Sequence, residues 1–183
     1  MTRHVMHQPV PAVTNLAGPV VVRWGLRTSF REYFERLADH EYRLSGGAGL
    51  SEQGQFVFPG HAQAGAAPGR PGVIRCRGRV QMSAHFGALS VLIADPEIVI
   101  GDDGQGILTA VVDEHGDAPV RMEVARLSLD GSPEGDPAPR WQWAAVLAEE
   151  GQFLFMGSYF AGDPLDPVCV HAGGRPDPDP GAE

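Results

Sequence analysis

Lysine is missing from this chain: all 14 basic side chains among its 183 residues are arginines. Set against 23 acidic residues, they leave a net charge of -9. So small a cationic share excludes a nucleic-acid binder, which needs a basic surface to displace counterions from phosphate. The arginine-only usage, with much Ala, Gly and Pro, suggests a GC-rich genome such as that of an actinobacterium. Cysteine is scarce as well, with Cys76 and Cys169 alone. One disulfide is possible, but spacing does not pair them, and two free thiols is the preferred reading. No stretch approaches the roughly 20 apolar residues of a membrane span. Near the N-terminus, His4, His7, Gln8, Pro9, Pro11 and Asn15 break any signal-peptide apolar run, which points to a soluble, cytoplasmic protein. There is no G-x-G-x-x-G after a strand, P-loop, H-E-x-x-H, C-x-x-C or G-x-S-x-G. The familiar dinucleotide, nucleotide, zinc and serine-hydrolase signatures are thereby excluded.

What the chain does have is 24 glycines, 16 prolines and a 43% hydrophobic share. Frequent turns and enough apolar mass predict a mainly β, antiparallel, sandwich- or barrel-like domain. Residues 1–17 read as a flexible arm, 18–171 as one domain, and 172–183 as a disordered, acidic, Pro-rich tail. Strands are predicted at 20–24, 41–45 and 55–60, with a surface loop over 61–72. A long alternating strand then covers 73–86: Ile74, Cys76, Val80, Met82, Ala84 and Phe86 on one face, Arg75, Arg77, Arg79, Gln81, Ser83 and His85 on the other. Pro96 reads as a break between two strands, and "GDDGQG" (101–106) as a hairpin turn rather than a calcium loop. Residues 119–129 alternate again, and two more strands flank "EEGQ" (149–152).

One helix stands out in "SFREYFERL" (29–37). Phe30, Tyr33, Phe34 and Leu37 recur at helical spacing, and Ser29 with Glu32 has the spacing of a capping box. The spacing predicts a helix from Ser29 to about Asp39 whose inner face sends a phenol towards the core. A buried phenol needs a hydrogen-bond partner. His85, at the end of the polar strand face, is a candidate. His4, His7, His40, His61, His115 and His171 fall in the arm, in loops or at element ends, and rank below it. Spacing alone leaves the plainer alternatives open: Ser29 as an N-cap, Tyr33 as a core aromatic, His85 as a wetted strand end.

Four segments in register carry a resemblance. "RWGLRTSFREYF" (23–34), "GRVQMSAHFGALSVLIADPEIVI" (78–100), "DGQGILTAVV" (103–112) and "GSYFAGDPLDPVCV" (157–170) resemble successive motifs of the HtaA family, the haem-binding conserved-region domains of actinobacterial haem uptake. The resemblance spans about residues 20–170. It implies a mainly β fold whose short N-terminal helix carries the haem ligand. It further implies ferric haem b bound through the Tyr33 phenolate, with His85 hydrogen-bonded to that phenolate. Ser29 lies near the haem, and Tyr159 with Phe160 line its face. Met82 and Phe86 are further candidate walls, with Phe30, Phe34, Phe155 and Met156. Arg75, Arg77 and Arg79 either meet haem propionates or form a solvated face.

The implied role is haem carriage, relay or buffering, with haem-donor or haem-acceptor proteins as partners. The alternative is a cytoplasmic haem-dependent enzyme whose open distal face takes peroxide or a nitrogenous substrate, in a biosynthetic pathway. Family members are usually exported or surface-anchored, whereas no export pattern is visible here.

Overall fold

Alternation of apolar and polar side chains puts one strand face in a core and the other in water. The computed structural model of the protein describes residues 16–66, 71–131 and 140–173, and there the alternation builds eleven antiparallel strands. They are β1 (Leu16–Trp24), β2 (Glu41–Ser45), β3 (Gly49–Leu50), β4 (Phe56–Ala66), β5 (Gly72–Cys76), β6 (Arg79–Ala84), β7 (Leu89–Ile100), β8 (Gln105–Asp113), β9 (Val120–Leu129), β10 (Arg140–Leu147) and β11 (Pro164–Ala172). One helix, α1 (Thr28–Glu35), follows β1.

Eight strands close a barrel in the order β1-β4-β5-β7-β8-β9-β10-β11, with β11 paired back to β1. Closure leaves the ring without exposed edges. At this strand number the interior is just wide enough for side chains. Trp24, Phe56, Phe58, Trp141 and Trp143 are among those fully buried.

A small wing departs from the barrel. β6 continues the course of β5 but pairs with the first half of β7, and β2 pairs with β6. Two irregularities meet where the wing leaves. Gly78 turns the chain at φ +120°, and Asp95 forms a bulge at φ +44°. The Asp95 N–H donates to Gly78 O (2.9 Å) and the Gly78 N–H donates to Asp95 Oδ1 (3.0 Å). Extra residues in register redirect a strand without breaking its sheet.

The structure revises several expectations. The long strand expected over 73–86 is two strands hinged at Gly78, although its predicted inward set from Ile74 to Ala84 is buried. Pro96 does not end a strand: β7 runs through it, and the bulge absorbs its missing N–H. Residues 61–66 extend β4 rather than forming a loop, while 67–70 lie outside the described residues. The second strand expected after "EEGQ" is a 3-10 segment, Glu150–Phe155. The expected arm gives way to β1 at Leu16, and the expected tail is still strand at Ala172; residues 1–15 and 174–183 lie outside the described residues. The hairpin reading of "GDDGQG" holds, with the Gly101 N–H donating to Gln105 O (2.8 Å). Both cysteines are free thiols.

At Gly78 a Cβ would sit 2.7 Å from the Ala48 backbone nitrogen, on top of the left-handed φ. Gly78→Ala should therefore cost about 2 kcal/mol or more, read as a lower urea midpoint at unchanged slope.

Candidate functional site

Helix α1 is held by a partner far away in sequence. The Asp166 carboxylate, from β11, accepts the Thr28 N–H (2.8 Å) and the Thr28 hydroxyl (2.9 Å). The expected capping box is thus corrected: the N-cap position is Arg27, no side chain of that residue caps the helix, and Ser29 lies inside the first turn. Ser29 is exposed, and its Oγ accepts a hydrogen bond from Arg27 Nε (3.1 Å).

Arg31 interrupts the apolar stripe and is nonetheless buried. Its guanidinium donates to Gly25 O (2.6 Å) and Gly54 O (2.6 Å) and pairs with Asp166 (3.3 Å). A Cβ at Gly25 would run into the Asp166 carboxylate, so glycine there leaves room for the anchor. This anchor also includes Trp24, whose indole N–H donates to Asp166 O (3.0 Å).

With its start fixed, the helix buries Phe30 and Phe34. Phe30 meets Phe155 edge-on at 5.1 Å, and Phe34 packs on Tyr42 at 5.0 Å. Tyr33 falls on the flank of that buried face and is 45% exposed. The expected inward phenol is therefore corrected: the hydroxyl points to the surface and finds its partner there. The Tyr33 hydroxyl lies 3.1 Å from His85 Nε2, across 52 residues of sequence.

His85 begins the short 3-10 turn His85–Gly87 that joins β6 to β7. Its backbone is unusual: φ is +51° at His85, +56° at Phe86 and +88° at Gly87. Glycine accepts this region freely, whereas the two residues before it each forfeit about 1–2 kcal/mol. Phe86 is fully exposed, so side-chain packing does not hold the turn. Hydrogen bonds do. The Ala88 N–H donates to His85 O (3.1 Å), and the Phe86 N–H donates to Asp39 Oδ2 (2.6 Å). Asp39 belongs to the turn that follows α1.

The other expected site residues divide into two groups. Tyr159 is half-buried, edge-on to Phe155 (5.3 Å), and carries the Arg27 guanidinium over its ring at 4.2 Å. Arg27 thus joins Ser29 to Tyr159. Phe160 is 69% and Met156 54% exposed. Met82, by contrast, is wholly buried in the core, as are Phe34 and Phe155, and offers no accessible wall; this corrects its expected place in the site. The arginine stripe pairs with acids at two of its three positions, Arg75 with Glu97 (2.9 Å) and Arg79 with Glu114. Among the described residues no three His, Cys, Asp or Glu side chains converge as a metal site, so an exposed phenol beside an imidazole is the notable donor set.

Asp39, Arg27, Arg31 and Asp166 escaped the sequence reading. The last two had a signal, an arginine inside an apolar helical stripe and an aspartate in "LDPV". Asp39 and Arg27 had none.

The fold is similar to that of solved domains. The C-terminal domain of HtaA from Corynebacterium glutamicum aligns with a TM-score of 0.72 at 25% identity, over 87% of this chain and 98% of that one. Its N-terminal domain aligns at 0.66 and 19% identity, over 87% and 99%. The heme binding protein HtaB of the same organism aligns at 0.64 and 14% identity, over 86% and 94%. Comparison with curated protein sequences gives no match. The HtaA (Htaa) family model matches residues 20–171, and the chain belongs to that family.

Two predictions follow from the anchors. Asp166→Ala removes the helix cap and strands the Arg31 charge, so unfolding should become easier by about 2–4 kcal/mol in a urea titration. The Phe86 N–H, chiefly, holds the Asp39 carboxyl below 3.8, its ordinary value. A depressed carboxyl contributes stability above its unfolded pKa and loses it as pH falls through the folded one. The Phe86 amide resonance of the haem-free protein should accordingly shift only at a midpoint below 3.8.

Proposed function

We propose that the chain binds ferric haem b, with the Tyr33 phenolate as axial ligand and His85 Nε2 hydrogen-bonded to that oxygen, and that it serves haem carriage, relay or buffering. The observation that carries the reading is the 3.1 Å contact between two exposed side chains from different elements. Family membership and the likeness to a heme binding protein support it.

The residues suit such a ligand. Phenol ionises near pH 10 in water, and bound ferric iron stabilises the anion as cations generally do. An imidazole N–H donated to the phenolate stabilises it further and fixes the ring. Phe86, next to His85 in the chain, and Met156 and Phe160, close to Tyr159 in the chain, are exposed apolar side chains that suit a flat macrocycle. Tyrosinate prefers ferric over ferrous iron, so reduction favours release, which suits a carrier.

Haemin added to the purified protein should give a tyrosinate-type ferric spectrum. Tyr33→Ala should abolish it, and an unchanged spectrum in that variant would remove Tyr33 as ligand. His85→Ala should keep a bound pigment but weaken affinity by about 10–100-fold, the usual loss when a ligand's orienting partner is deleted.

A further inference from the structure

We propose that Asp39 is a positioning residue: its carboxylate holds the left-handed His85–Phe86–Gly87 turn in the one conformation that keeps the imidazole at the Tyr33 hydroxyl. The inference rests on the reading of Tyr33 and His85 as the haem-ligating pair.

The geometry is a two-point clamp. The segment that carries Tyr33 ends in a turn that carries Asp39, and both residues reach the same β6–β7 connection. Tyr33 meets the His85 ring at 3.1 Å, and Asp39 accepts the next backbone N–H at 2.6 Å. The second bond is a charge-assisted one, the stronger kind.

A turn with two consecutive non-glycine residues at positive φ relaxes unless it is over-determined. Here the Phe86 side chain is fully exposed, and a Cβ at Gly87 would meet no atom within 4 Å, so packing supplies no restraint. Without the Asp39 bond, His85 and Phe86 return towards ordinary φ. That rotation swings the Cα–Cβ bond of His85 and carries Nε2 away from the phenol. The Asp39 hydrogen bond is to the backbone and not to the phenol or the imidazole ring, which feels the carboxylate only as a charge through space.

The test is a double-mutant cycle on haemin transfer from the full chain to apomyoglobin. Asp39→Ala should speed transfer about three- to tenfold, less than loss of the imidazole itself. Asp39→Asn keeps an oxygen that accepts the Phe86 N–H and should stay within about twofold of the parent. In a His85→Ala background, Asp39→Ala should add nothing, because it acts through His85. No acceleration, or equal acceleration in both backgrounds, overturns the proposal. A haem-free measurement separates it from the ligand assignment. The nuclear Overhauser effect between the Tyr33 and His85 rings should vanish in Asp39→Ala and persist in Asp39→Asn, both with a native amide spectrum. Its persistence in Asp39→Ala would overturn the role of Asp39. A haemin spectrum unchanged by Tyr33→Ala would sink the ligand assignment alone, while the ring contact still decides on Asp39.

Discussion

The contact between the Tyr33 hydroxyl and His85 Nε2 joins a helix to a hairpin turn at the protein surface, and the surrounding architecture makes sense as its support. An intramolecular hydrogen bond contributes only about 0.5–1.5 kcal/mol net, because water competes for both partners. The left-handed backbone at His85 and Phe86 costs about as much or more. The pair therefore does not hold itself together. Its geometry is imposed from two sides: by the Asp166–Arg31 anchor at the start of α1, and by the bonded turn at the end of the wing.

That division of labour explains where the site lies. Trp24, Phe56, Phe58, Trp141 and Trp143 are fully buried in the core, whereas Tyr33 and His85 lie outside it at the surface, so the barrel serves the pair as a base. The wing is free to differ because β6 and β2 stand outside the closed ring. Gly78 and the Asp95 bulge set its exit angle, and that angle decides where His85 ends up. A glycine and a bulge remote from Tyr33 thus belong to the framework that carries His85 to the phenol.

Local patterns were legible in the sequence where one residue's neighbours decide its state. Alternation from Ile74 to Ala84 told inside from outside because each strand there has one buried face. Stop signals misled at Pro96, since a bulge can absorb a missing donor, and only the partner strands reveal the bulge. Ser29 had the spacing of a cap, but a carboxylate 138 residues from Thr28 took that place. Tyr33 sits in an apolar stripe, yet on so short a helix Phe30 and Phe34 suffice for burial, and the phenol is left outside. Tyr33 and His85 stood out as a candidate pair from helix spacing and strand position, and motif resemblance supplied their implied roles, whereas Asp39 acts through a backbone amide and leaves no pattern in side-chain chemistry.

The exposure of the pair has a consequence for protons on the haem reading. A neutral phenol donates to a bare Nε2, whereas a phenolate must accept from Nε2–H. Were the phenolate to hold iron, the hydrogen bond would therefore run from Nε2–H to the oxygen, and the phenolic proton would have to leave for solvent. Both side chains are exposed, so water reaches the place where that proton would be given up and taken back. A buried pair would need a further base for the same exchange.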